Sequence, residues 1–154
     1  MEQEQESLRE VKLVVDANIL FSAVLKNDGV VAETFRAVSD LGTLIAPAYI
    51  ADELIRLRPK MARAAGRTTD EVERLQRWTL SQVKLIAEDV ISQKHWIKAV
   101  ELVGNVDEND TPYVALALAY RCPIWTGDKK LVTGLRKKGF ELVMTTEELR
   151  KKLA

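Results

Sequence analysis

The sequence predicts an α/β fold in three layers, with helices on both sides of a central parallel sheet of about five strands. Three observations point there. Short apolar runs alternate along the chain with helical patterns, as crossover units do. The runs are rich in aliphatic residues, which suits strands covered on both faces. Gly42, Gly104 and Gly139 each follow a helical pattern and precede an extended or loop segment, where C-cap glycines stand. At 154 residues the chain is one domain, large enough to bury a proper core. Residues 1–10 read as a polar tail and 11–154 as the domain.

The first strand covers 11–16, Val-Lys-Leu-Val-Val-Asp, and a helix near 30–41 ends at Gly42. Thr-Leu-Ile-Ala, 43–46, is the second strand. The helix near 48–65 carries an apolar stripe at Ile50, Leu54, Leu57 and Met61, and another helical pattern runs near 69–81. Val-Lys-Leu-Ile-Ala, 83–87, is the third strand, followed by a helix near 92–103. The helix near 110–120 opens on Asp110 with Thr111 and Pro112 in its first turn. Its segment 113–120, Tyr-Val-Ala-Leu-Ala-Leu-Ala-Tyr, has almost no polar face and is expected to be deeply buried. Cys-Pro-Ile-Trp-Thr, 122–126, is the fourth strand. The helix near 129–138 ends in Arg136, Lys137 and Lys138, favourable charges at a helix C-terminus. Phe-Glu-Leu-Val-Met, 140–144, is the fifth strand, and a helix near 145–152 closes the domain.

Composition narrows the function. Lys and Arg number 23 and so do Asp and Glu, so no global field advertises nucleic acid and any basic surface must be local. The single cysteine, Cys122, excludes an internal disulfide and a multi-thiolate zinc site, and its place beside Pro123 at a strand start suits a buried core thiol. No apolar run approaches the ~18 residues needed to cross a bilayer. The acidic start, Met-Glu-Gln-Glu-Gln-Glu, does not suit a secretory signal, so a cytoplasmic protein is expected.

Acidic residues stand where strands stop, and ligands of an open parallel sheet bind at that edge. Asp16 ends the first strand; its plain alternative is an Asx turn or N-cap for the segment beginning Ala17-Asn18-Ile19-Leu20. Asp128 follows Gly127, which would allow a sharp turn that delivers the carboxylate over the sheet edge; its alternative is a cap for the helix 129–138. Asp110 also resembles an N-cap, and Asp107 is close enough in sequence to point to the same place, whereas Glu108 and Asn109 read as solvent-facing. Glu53 lies on the flank of the apolar stripe, three residues from Ile50 and four from Leu57, so a carboxylate turned inward there needs a partner. An ion pair with Arg56 is its alternative. Two carboxylates ~5 Å apart repel by roughly 3 kcal/mol at an effective dielectric of ~20. A shared divalent cation removes that cost, and all-oxygen ligands select Mg²⁺ or Mn²⁺ over zinc.

This set of residues resembles the PIN-domain family, nucleases related to the PilT N-terminus that include the VapC toxins. The resemblance rests on Val14-Val15-Asp16-Ala17-Asn18, on Glu53 in the helix after the second strand, on Asp110 opening the Ala-Leu-Ala helix, and on Thr126-Gly127-Asp128. It covers about residues 11–150. It implies a sheet with the first strand central and a ribonuclease dependent on Mg²⁺ or Mn²⁺, with Asp16, Glu53, Asp110 and Asp128 as catalytic metal ligands and Asp107 as an accessory ligand. In-line attack by water would leave a 5′-phosphate and a 3′-hydroxyl. A homodimer or higher oligomer, with Trp78 as a candidate anchor, and an antitoxin partner go with the same resemblance. The stretch between Glu53 and Asp107 departs from the compact toxin pattern.

RNA would need cations beside these acids. Arg56, Arg58 and Lys60 follow Glu53, and Lys129 and Lys130 follow Asp128, so these are the expected phosphate contacts, with Asn18 and Thr126 as further substrate contacts at the strand ends. Aromatic residues are few, so base stacking is not evident. An aspartyl-nucleophile phosphatase wants a second Asp where Asn18 stands, and no Gly-x-Gly-x-x-Gly supports dinucleotide binding. The remaining alternative is a non-catalytic PIN-like module that binds RNA or protein.

Overall fold

Five parallel strands form one sheet in the order β3-β2-β1-β4-β5 in the computed structural model, which describes residues 11–26, 28–104 and 107–154. The strands are Val11–Val15 (β1), Gly42–Pro47 (β2), Val83–Ile86 (β3), Ile124–Trp125 (β4) and Val143–Met144 (β5). β1 is central, as the resemblance implies: Val14 pairs with Ile45 on one side and Ile124 on the other. Leu13, Val14 and Val15 are buried, which explains why that stretch is aliphatic at consecutive positions. The polar tail 1–10 and Val106, ahead of Asp107, lie outside the described residues.

Eight α-helices flank the sheet among the described residues: Ala17–Leu25 (α1), Val30–Leu41 (α2), Tyr49–Ala65 (α3), Thr69–Ser81 (α4), Gln93–Val103 (α5), Thr111–Tyr120 (α6), Lys129–Lys137 (α7) and Thr146–Leu153 (α8). α5, α6 and α7 pack together, with α6 on β1 and β2; α2 packs on β2 and touches α8. The apolar α6 is sunk as expected, with Tyr113 to Ala117 all buried. α1 is an addition to the sequence-based expectation. Ile19, Leu20, Ala23 and Val24 are buried and Phe21 and Leu25 half-buried, so no polar face exposes the helical period. α1, α3 and α4 share a satellite core of Val24, Met61, Ala62 and Val72. None of the described helices is long and apolar enough to cross a membrane.

Gly42 corrects the expectation of a left-handed C-cap. Gly104 and Gly139 have positive φ, but Gly42 is extended at φ −155° and opens β2 opposite Val11. A Cβ there would run into the Val11 carbonyl, so strand approach, not backbone freedom, requires glycine. Gly42→Ala is expected to cost about 1–3 kcal/mol, read as a lower denaturation midpoint with an unchanged slope.

Candidate active site

The sheet order places β1 between β2 and β4, so the chain leaves β1 in one direction and returns on the other side. That reversal opens a crevice beyond the carboxyl ends of β1 and β4. Asp16 follows β1 there, and Thr126, Gly127 and Asp128 follow β4. Asp16 is 7% exposed and stands at the N-cap position of α1, but its side chain makes no capping bond to that helix. Instead Thr126 Oγ1 donates to Asp16 Oδ2 at 2.7 Å, and Asn18 Nδ2 donates to the same oxygen at 3.2 Å. Burial raises the Asp16 pKa; the Thr126 bond and the nearby N–H groups of Ala17 and Asn18 oppose the rise, while the charge of Asp128 adds to it.

Asp110 lies under the charges of all the other candidate acids. It stands at the N-cap position of α6 without making a capping bond, and its buried Oδ2 has no hydrogen-bond partner. Its pKa is pushed up to about 7, first by burial and then by the charges of Asp16, Asp107, Asp128 and Glu53. All four other candidate acids therefore act on this one carboxyl. Glu53 is half-buried and accepts a 2.5 Å hydrogen bond from the Tyr113 hydroxyl. The ion pair with Arg56 does not form: Arg56 Nη2 donates to the Tyr49 hydroxyl at 2.7 Å, with its guanidinium over that ring. Burial raises the Glu53 pKa, and the bond from Tyr113 opposes it. Burial and the bond to Glu53 raise the Tyr113 pKa, holding its phenol protonated.

Asp107 is exposed and accepts from Asn109 N–H, at the head of a 3₁₀ turn, Glu108–Asp110, that carries Asp110 into the site. Asp128 does cap α7: its Oδ1 accepts from the N–H groups of Lys130 and Leu131. One carboxylate oxygen suffices for that cap, so the role does not exclude ligation. Among the described residues, no three histidine, cysteine or carboxylate side chains are grouped as a ready-made metal site. The other four acids lie near enough for their charges to act on Asp110, and neutral donors hold Asp16 and Glu53.

Several expected substrate contacts have other work. Thr126 is fully buried, and its hydroxyl donates to Asp16 and accepts from Asp128 N–H, so it positions the acids and cannot reach RNA. Asn18 uses Nδ2 on Asp16 and Thr126 and Oδ1 on Gly127 N–H, clasping the ends of β1 and β4. Arg58 Nε donates to Gln76, whose buried amide in turn bonds the Leu54 carbonyl, so Arg58 ties α3 to α4. Arg56, Lys60, Lys129 and Lys130 remain exposed. Arg136 serves more than a helix terminus, since its Nη2 donates to Glu148 at 2.7 Å and to the β5 carbonyl of Val143.

Gly127 is also corrected. Its φ is not positive, and an added Cβ would meet Asn18 Oδ1 at an ordinary 3.6 Å. Gly127→Ala is expected to stay within about 0.5 kcal/mol of the parent in a denaturation midpoint. Cys122 is a buried core thiol, its pKa pushed up to about 11 by burial. Tyr113 was absent from the sequence-based site. Its signal was legible: a tyrosine in an otherwise apolar helix, three residues past Asp110, needs a buried partner for its hydroxyl.

A family model described as PIN domain matches residues 14–154. The fold is similar to a crystal structure of VapBC2 from Rickettsia felis bound to a DNA fragment from their promoter. That match has a TM-score of 0.63 and 15% identity, and it covers 88% of this chain and 97% of the other. No curated protein matches the sequence significantly.

Proposed function

The chain belongs to the PIN-domain family, and from that premise we propose that it is an endoribonuclease dependent on Mg²⁺ or Mn²⁺. Asp16, Glu53, Asp110 and Asp128 would hold the cation, with Asp107 as an accessory. The observation that carries this reading is Asp110, a buried carboxyl with an oxygen that lacks any partner and four acids raising its pKa. An all-oxygen set with an unmatched buried acceptor fits a hard cation, and nitrogen or sulfur ligands are not offered. A bound divalent cation would supply an acidified water and neutralise charge at the phosphoryl oxygens.

The chain's own residues prepare that chemistry. Thr126 and Asn18 fix the orientation of Asp16, and Tyr113 fixes Glu53. The α7 cap bonds restrain Asp128. Just past it, Lys129, Lys130, Thr133, Gly134 and Lys137 line an open hollow of ≈ 350 Å³, and no carboxylate lies among them. That surface suits backbone phosphates of RNA, with Arg56 and Lys60 of α3 as further contacts. A toxin role with an antitoxin partner, a homo-oligomeric state and a cytoplasmic setting extend the proposal.

The test is cleavage of end-labelled single-stranded RNA with Mg²⁺ or Mn²⁺ and with EDTA. Metal-dependent products bearing 5′-phosphates are expected; absence of cleavage in either metal contradicts the proposal. The second reading, a non-catalytic module, is favoured by the acids not being preassembled as a ligand set. It predicts RNA or protein binding that survives Asp16→Asn and no cleavage by the parent chain.

A further inference from the structure

Beside the acids, on the same edge of the sheet, Ala48, Tyr49, Asp52, Glu88 and Pro112 line an open hollow of ≈ 310 Å³. Ala48 and Tyr49 follow β2, Glu88 follows β3, and Pro112 stands two residues past Asp110. Tyr49 is one helical turn before Glu53. We propose that this hollow binds a guanine base of the RNA by its Watson–Crick edge, with Glu88 as the reader. The proposal rests on the ribonuclease reading and deepens it.

The lining chooses between parts of a nucleotide. Its two charged members, Asp52 and Glu88, are both carboxylates, so the hollow repels the phosphate that the α7 surface attracts. Pro112 and the face of the Tyr49 ring that Arg56 does not cover are flat surfaces, which suit a base taken out of a single strand. Tyr49 is held firmly: its hydroxyl donates to Asn109 Oδ1 at 3.2 Å and accepts from Arg56. Glu88 is held too, because its Oε1 accepts the Tyr49 N–H at 2.6 Å. Each carboxylate oxygen has two lone pairs, so Glu88 keeps acceptor capacity on both.

A carboxylate has no donor to offer, and that decides which base fits. Guanine presents two adjacent donors, N1–H and the N2 amine, which match two carboxylate oxygens. Adenine and cytosine each pair their amine with a ring nitrogen acceptor, and uracil flanks its single N–H with two carbonyls. Each of these sets a lone pair against the carboxylate. The Tyr49–Glu88 pair therefore places a guanine requirement next to the cleavage site, a preference that the scarcity of aromatics hides in the sequence.

The experiment measures anisotropy of labelled oligouridylates carrying one central guanosine, inosine or adenosine, using the Asp16→Asn protein so that nothing is cut. Guanosine is expected to bind about fivefold or more tightly than adenosine, with inosine between them for want of the N2 amine. Glu88→Gln should abolish the difference, because its amide presents a donor to guanine's donors while its oxygen can still accept the Tyr49 N–H. Equal binding of the three RNAs, or discrimination that survives Glu88→Gln, overturns the guanine site and leaves the ribonuclease reading intact. If the parent protein neither binds nor cleaves RNA, both fall. The comparison of the three RNAs needs no folded Glu88 variant.

Discussion

Replacing Asp16 by Asn is expected to lower RNA cleavage by at least about a hundredfold while leaving the fold in place. The substitution keeps the shape and an acceptor for the Thr126 hydroxyl, so circular dichroism and the denaturation midpoint should change little. What it removes is the negative charge at the end of the central strand, buried to 7% exposure. Loss of a group that merely orients a metal ligand costs about 10–100-fold, so loss of a ligand should exceed that. Thr126→Val supplies the calibration, since the hydroxyl donates to Asp16 at 2.7 Å and cannot itself touch substrate. It should fall within the 10–100-fold range. Initial rates at saturating Mg²⁺ check both; near-parent rates for Asp16→Asn would remove the carboxylate from the chemistry.

Asp110→Asn is expected to stabilise the metal-free protein at pH 8 and to destroy its response to Mg²⁺. Folding raises the Asp110 pKa from 3.8 to about 7, so the folded chain binds this proton more tightly than the unfolded chain. Between those values the native state holds more protons, and stability falls as the pH rises from about 4 to about 7. The full penalty, present above pH 7, is of the order of 4 kcal/mol at most. An asparagine escapes the charge penalty but keeps a buried polar atom in need of a partner, which returns part of the gain. A net gain of about 1–3 kcal/mol at pH 8 is therefore expected, shrinking toward zero near pH 4. Urea denaturation in EDTA at several pH values measures it. Mg²⁺ should then stabilise the parent, by relieving the same repulsion, and leave Asp110→Asn unmoved.

The fold was legible because the strands announce themselves. β1 and β2 are short aliphatic stretches between helical patterns, and parallel strands buried on both faces have to look that way, whereas β3 lies at the sheet edge with Lys84 and Leu85 exposed and only its ends buried. α1 escaped because its sequence is apolar nearly all round, which erases the period that marks a helix. Asp16 and Asp128 were legible from their places at strand ends, and Glu53 from its place on the flank of a stripe. The partners were not. Thr126 with Asp16 is separated by 110 residues and Tyr113 with Glu53 by 60, so only the strand order brings them together. Arg58 misled for the same reason: the run of cations after Glu53 reads as one surface, but α4 packs alongside and Gln76 captures one of them. Glycines were the hardest to interpret. Gly42 and Gly127 look like turn formers, yet one is required by a neighbouring strand and the other by nothing that a Cβ would disturb.

The most direct measurement is anomalous scattering from a crystal of the protein grown with Mn²⁺. The prediction is a single-metal or paired peak within coordination distance, about 2.0–2.3 Å, of Asp110 Oδ2 and of the Asp16 carboxylate, with Asp128 and Glu53 in the same shell. A peak elsewhere on the surface, or none at Mn²⁺ concentrations that saturate ordinary carboxylate sites, would contradict it.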